Sequence, residues 1–431
     1  LLPLARETAL ALARRKDEPV WMRDLRLAAW DVYEATPFPT LQDEEWRRTD
    51  LRQIDFAALH AAQPHGAVLL PPEWQPAPNA LETRDGVLVQ RGATAAFRVV
   101  REELVARGVI LTDMDTAVRE HGDLVRRVFM TEAVTPAYSK FAALNGALWS
   151  GGTFLYVPDN VQIALPLLST IWLDEPEAGV FSHTIVVVGR HSSVTLIEET
   201  GSRAAQGALN MPVVELLLHE GAALNFITVQ EFDDSARQIG VHRAILNRES
   251  TLNWTTAAIG SRFSKLNIDA EMRGPGTNAE LSGMYFVDGK EFVDFHTLQD
   301  HIAPAATSNL LFRGVLKDAS RAVYSGLIKV HPGAQKTDAY QKNNNLILSP
   351  NARADSIPNL EIAANDVRCS HGATAGKVSE DQLFYLMSRG LSRREAERLI
   401  VTGFLAPLIE RVPLEDLRER LYTFIDAKMA L

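Results

Sequence analysis

Cys369 and His371 stand two residues apart in Asp366-Val367-Arg368-Cys369-Ser370-His371-Gly372, and Cys369 is the only cysteine of the 431 residues. The apolar run that opens at Leu360 predicts an extended segment reaching His371. In a strand, side chains alternate between faces, so Val367, Cys369 and His371 project together and Arg368 and Ser370 point away. The two Cα atoms then lie about 6.5 Å apart, close enough for a thiolate and an imidazole to meet at one metal centre. A lone cysteine also serves as a small buried hydrophobe, and spacing alone does not choose between the two.

Two ligands do not complete a metal site. Iron–sulfur clusters normally take four protein ligands, mostly thiolates, with histidine an attested substitute. The shortage therefore points to acidic or histidine ligands elsewhere in the chain, or to a site shared with a second polypeptide. The other concentration of ionisable residues is Asp288, Glu291, Asp294, His296, Asp300 and His301. Asp294 and His296 share a strand face, and the expectation is that the group caps a turn and faces solvent. A secreted carbohydrate lyase would instead use such carboxylates to hold Ca²⁺.

Several other chemistries lack their residues. The segment from Gly372 to Val378 has three residues between its glycines, where a phosphate loop has four, and Val378 stands where a Ser or Thr would hold Mg²⁺. No G-x-S-x-G, C-x-x-C or H-E-x-x-H motif is present.

The elements that must position these residues fall into three blocks: 1–150, helical with short strands; 151–376, β-rich; and 377–431, helical. In the first, Ala5, Ala9, Leu12 and Ala13, then Trp21, Leu25, Ala28, Ala29 and Val32, predict two amphipathic helices. Residues 62–80 read as a Pro-, Ala- and Gly-rich connection, Val87 to Val100 as a short hairpin or separate strands, and Arg101 to Phe129 as helical. In the second block a polar turn, a small residue and an alternating apolar strand recur, marked at 194, 224, 252, 280, 323 and 354. The steps of 30, 28, 28, 43 and 31 residues suggest a solenoid with an insertion near 285–305. A parallel β-helix is favoured over a β-sandwich.

In the third block Ser379-Glu-Asp-Gln382 and Ser392-Arg-Arg-Glu395 open helices as capping boxes, and Pro413 starts a third helix. Ala396, Leu399, Ile400 and Phe404 are expected on one face. Such helices act as a cap or as a docking module, and their removal from Ser379 onward is expected to leave a folded solenoid.

Composition sets outer bounds. The chain is 46% hydrophobic and 23% charged, with a net charge of −10 and a pI near 5.6, which disfavours nucleic acid and anionic membrane surfaces as partners. One cysteine allows no intrachain disulfide, no apolar run is long enough for a membrane span, and residues 1–17 have the wrong charge order for a signal peptide. A cytoplasmic protein is expected.

With these residues in hand, the chain resembles the SufB/SufD family of iron–sulfur cluster assembly proteins, and within it the SufD branch. The resemblance is densest in "DFHTLQDHIAPAATSN", "YSGLIKVHPGAQKTDAYQKNNNLILSPNARADSIPNLEIAANDVRCSHGATAG" and "LFYLMSRGLSRREAERLIVTGF", with weaker echoes in "EEWRRTDL" and "LNGALWSGGTFLYVPDNV". It implies a right-handed parallel β-helix flanked by helical N- and C-terminal regions. It also implies a non-catalytic subunit working with a SufB-like paralogue and a SufC-type ATPase, the latter docked on the C-terminal helices. His371 would face a SufB cluster cysteine across the interface, with Cys369 its neighbour, so the cluster would be transient and shared, and none would be held stably by the isolated chain. A SufB-like homodimeric scaffold and a parallel β-helix carbohydrate-active protein are the alternatives.

Overall fold

The computed structural model describes residues 3–62, 70, 75, 79–203 and 205–430, so the connection expected over 62–80 lies mostly outside the described residues. The chain is mainly β: a parallel solenoid of about eight turns with helices before and after it. From His183 onward the long strands alternate between two sheets. Each pairs in parallel with the next strand of its own sheet, 26 to 32 residues on.

This geometry corrects the reading of the repeat. The marks at 194, 224, 252 and 280 lie in one sheet, whereas 323 and 354 lie in the other. The long step is a change of sheet and not an insertion. Residues 285–305 contain a regular strand, Phe292–His301, and the true successor of Glu280 is its register partner Asn309. The recurring turn has a backbone cause. His191, Gly221, Glu249, Gly276, Ala305 and Lys336, each two residues before a strand of the sheet that holds 194, 224, 252 and 280, all have φ between 54° and 72°. The next residue at each corner (Ser192, Ala222, Ser250, Thr277, Ala306, Thr337) is small and buried. Only two of the six corners use glycine, the residue that turns left-handed without steric cost, so the corner is hard to see in the sequence.

Inside the coils, like residues stack. The column Leu196, Phe226, Trp254, Leu281 and Leu310 is apolar and buried through successive strands of one sheet, as β-strand alternation against a filled interior requires. Both outer faces are covered too. On one, the N-terminal helices Arg6–Arg15, Val20–Ala35 and Lys140–Leu148 build apolar clusters with the sheet. The second helix buries Met22, Arg26, Ala29 and Trp30; of the expected Trp21, Leu25, Ala28, Ala29 and Val32 only Ala29 is buried, with Trp21 and Leu25 partly buried beside the core, so the buried face is turned from the expected one. The turn follows from Arg26, which is fully buried because its guanidinium pairs with Glu18 and caps the carbonyls of Ala147 and Trp149. The hairpin Gly86–Arg91 with Thr94–Val100 is antiparallel as expected, but a strand, Ile110–Asp113, interrupts the helical run expected over 101–129.

The C-terminal helices Arg393–Ile409 and Glu415–Ala430 lie on the other sheet. Val401, Leu405, Leu408, Leu417, Leu421 and Ile425 pack there against Ile197, Ile227, Val229, Ile259, Met284 and Phe286. They are therefore not an appendage that can be removed without cost. Leu399, expected on the buried face, is exposed. Among the described residues no helix is long and apolar enough to cross a membrane.

The two ends of the solenoid differ. Antiparallel strands close the first end. At the other end, Arg353–Ile362 and Arg368–Lys377 are the outermost strands of their sheets, paired on one side only among the described residues, the first half-buried to exposed and the second largely exposed.

Candidate functional site

Cys369 and His371 lie at this open end, although not as one strand running from Leu360. Leu360 belongs to Arg353–Ile362 in one sheet, the chain turns over 363–367, and Arg368–Lys377 forms the last strand of the other. His371 is therefore within that strand and not at its exit, and Gly372 to Lys377 is strand, not a phosphate-binding loop. The expected sharing of a face holds. Cys369 is in register with Ala339 and His371 with Gln341, both buried and inward-facing, so thiol and imidazole look into the end of the coil.

The two side chains meet different surroundings. Cys369 is half-buried beside an apolar group that includes Ile328, Val330, Ala339, Leu360 and Val367. Burial, with a smaller push from the Asp338 carboxylate, raises its thiol above the ordinary value. His371 is exposed and has no hydrogen-bond partner among the described residues. Beneath it the apolar column has ended, since Leu310 is followed by Gln341.

Gln341 belongs to a polar set that the sequence reading did not single out. Its Nε2 donates to the carbonyls of Gly326 (3.3 Å) and Asn359 (3.2 Å), and the Tyr324 hydroxyl donates to its Oε1 at 3.4 Å. Beside it, Asn343, Asn345 and Ser356 are joined to one another and to the Tyr285 hydroxyl. The available signal was the alternation in Ala339-Tyr-Gln-Lys-Asn-Asn-Asn345, where every second residue from 341 is a polar amide at an inward position. An aromatic stack of Tyr285, Phe295, Phe312 and Tyr324, with ring centroids 5.5 Å apart, separates this set from the deeper interior.

The second cluster of ionisable residues does not join the first. Lys428 from the last helix binds Asp288 (2.5 Å) and Glu291 (2.8 Å), so these carboxylates fasten the C-terminal helices instead of facing solvent. Asp294 is buried and 3.1 Å from Lys265, it accepts a hydrogen bond from the Thr49 hydroxyl, and His296 Nε2 is 3.1 Å from its other oxygen. Burial by itself would raise the Asp294 carboxyl, but the charges of Lys265 and His296 and the hydrogen bonds outweigh it and hold the pKa at about 2. Glu45 reaches Asn267 at 2.7 Å and Lys265 lies 4.7 Å from the Trp46 ring centre, so the Glu44 to Thr49 segment is locked onto the solenoid. Asp300 is paired with His331 at 2.9 Å, and His301 points inward to Ser308 at 2.8 Å. Asp288, Glu291 and Asp294 are engaged by lysines and Asp300 by His331, and among the described residues no group of three or more His, Cys, Asp or Glu is arranged to hold a metal ion.

Comparison with known proteins agrees with this architecture. Residues 171–404 match the family model described as "SUF system FeS cluster assembly, SufBD core domain", and 79–168 match "SufBD protein N-terminal region". The Bacillus subtilis (strain 168) iron–sulfur cluster assembly protein SufD is 32% identical over 99% of this chain and 98% of its own length. The SufB protein of the same organism is 28% identical over 96% and 90%, and an iron–sulfur cluster assembly SufBD family protein of Staphylococcus epidermidis is 29% identical over 94% and 88%. A parallel solenoid over the core match, helices at both ends and the nearly complete coverage of these relatives lead to one assignment: the chain belongs to the SufB/SufD family of iron–sulfur cluster assembly proteins.

Proposed function

We propose that this chain is the SufD-type, non-catalytic subunit of a SufBCD-type scaffold and contributes to a cluster-building site shared with a SufB-like paralogue. The observation that carries the reading is the open end of the solenoid. Two long strand edges are unpaired there, and an unpaired edge is a template for another chain. His371, whose imidazole has no hydrogen-bond partner among the described residues, stands on one of them. One imidazole and one half-buried thiol cannot hold a cluster alone, so the remaining thiolates come from the paralogue and the cluster is cargo, assembled transiently and passed on. The SufC-type ATPase docks on the C-terminal helices, where Phe384 and Tyr385 are exposed on the short helix Glu380–Ser388, which buries Leu383, and Leu399 is exposed on Arg393–Ile409, whose other face is buried. The complex works in the cytoplasm.

The test is anaerobic reconstitution of the complex containing His371→Ala, with complex recovery read by gel filtration and cluster content by absorbance. The expected result is an intact complex with little or no cluster. Normal cluster content would overturn the site, and loss of the complex would make His371 an interface residue instead. Pairing of the open edges with a second copy of this chain would appear as a homodimer when the paralogue is left out.

A further inference from the structure

We infer that Gln341 is a positioning residue for His371, and that residue 326 is glycine in order to house its carboxamide. The inference rests on the reading of His371 just given and extends it one coil inward. His371 and Gln341 are register partners on adjacent parallel strands, so their side chains leave the backbone about 4.8 Å apart on the same face. An imidazole that gives one ring nitrogen to iron carries its proton on the other, and that N–H needs an acceptor to fix ring and tautomer. The group beneath His371 is such an acceptor. Gln341 is itself fixed: both its amide bonds run across the coil to backbone carbonyls of the opposite sheet, at Gly326 and at Asn359 on the outermost strand. Among the described residues its Oε1 receives only the long contact from Tyr324, which leaves acceptor capacity for the ring.

Two observations argue against Gln341 being filler at the end of a core. The five residues before it in the same column are apolar, and a sixth would have closed the end without burying an amide. Space has also been made for it. A Cβ at Gly326 would lie 2.3 Å from Gln341 Oε1 and 2.5 Å from the Tyr324 hydroxyl. Gly326 has no positive φ that would otherwise call for glycine, so the missing side chain makes room for the carboxamide together with the Tyr324 phenol that contacts it. The neighbouring Cys369, over Ala339, stands on an apolar floor instead.

The test uses the reconstituted complex carrying Gln341→Leu, Gln341→Glu or Gly326→Ala. Gln341→Glu keeps an acceptor oxygen at the same reach and, held protonated by burial against the two carbonyls, still donates to one of them, Gln341→Leu removes both functions, and Gly326→Ala displaces the carboxamide while leaving the residue in place. Cluster content at limiting iron should fall about 10-fold or more in Gln341→Leu and Gly326→Ala and be retained in Gln341→Glu, the usual scale for losing a partner behind a metal-binding histidine. In the isolated chain, ring ¹⁵N shifts of His371, assigned by their loss in His371→Ala, should show one tautomer in the parent and a mixture in Gln341→Leu. An unchanged ring signature with unchanged cluster content in Gln341→Leu overturns the inference. Equal loss in Gln341→Leu and Gln341→Glu, with lowered thermal stability in both, also overturns it and makes Gln341 a structural staple. The underlying assignment fails separately, by normal cluster content in His371→Ala.

Discussion

Cys369 and His371 share the inward face of the last strand but stand on different floors, Ala339 under the thiol and Gln341 under the imidazole. The thiol completes an apolar group at the coil end, and burial raises its pKa away from the thiolate form that binds metal. The imidazole faces open space over a hydrogen-bonded amide. The two residues are equivalent by spacing and distinct by environment.

Substitution should expose that difference. Cys369→Ala is expected to lower stability by about 1 kcal/mol or less, because a half-buried thiol leaves little cavity. It should leave most of the cluster content that His371→Ala removes. Urea denaturation of the isolated chain and absorbance of the reconstituted complex make the comparison; equal loss of cluster in both variants would place the thiol among the ligands.

Asp294→Asn should loosen the N-terminal segment. The change leaves Lys265 buried without its partner and weakens the tie to Thr49, which for a buried ion pair costs about 3–5 kcal/mol. The pH dependence has a definite sign. The folded carboxyl is held at about 2, below the value of about 3.9 in an unfolded chain, so its contribution is complete above pH 4 and disappears as pH falls through 2. Thermal melts of parent and variant should therefore differ at pH 7 and converge only below pH 2, and a constant gap would contradict the ion-pair account.

His242 makes the opposite kind of prediction. It is fully buried inside the coil, stacked 6.2 Å from the Trp254 ring at 10°, with neither ring nitrogen hydrogen-bonded. Burial holds its pKa at about 3, below the unfolded value of about 6.5. Folding then excludes a proton that the unfolded chain binds, so stability declines as pH falls from 6.5 toward 3. His242→Phe keeps an aromatic ring in the stack and removes this liability. Its acid-unfolding midpoint should be lower than the parent's, while His301, held at about 4 by burial, preserves part of the slope.

The C-terminal helices call for point changes in place of truncation. Deleting residues from Ser379 onward bares the sheet face formed by Ile227, Val229, Ile259, Met284 and Phe286, and the product should aggregate. Phe384→Ala with Tyr385→Ala touches side chains that are 75% and 57% exposed, so the melting temperature should stay within a few degrees. Retention of the SufC-type ATPase on the immobilised complex should fall sharply, and undiminished retention would move the docking surface elsewhere.

The sequence by itself determined the kind of fold and the address of the candidate site. Alternation with a step near 30 residues forces stacked coils, because a strand with one apolar face needs another coil to cover it. The Cys369–His371 spacing requires a shared face in any strand register. Capping signals at Ser379 and Ser392 were equally local, and the structure shows both side chains accepting the expected backbone N–H. What the sequence left undecided depends on contacts between distant residues. The change of sheet between 280 and 323 is invisible to a single-column repeat, since both sheets use the same alternation. The burial of Arg26, the capture of Asp294 by Thr49 from 245 positions away and the grip of Lys428 on Asp288 and Glu291 each place a charge where composition predicts solvent. The direction of Cys369 and His371, inward over an open coil end, was settled only by the parallel register with Ala339 and Gln341, because a strand's two faces are alike until a neighbouring strand and a filled interior tell them apart.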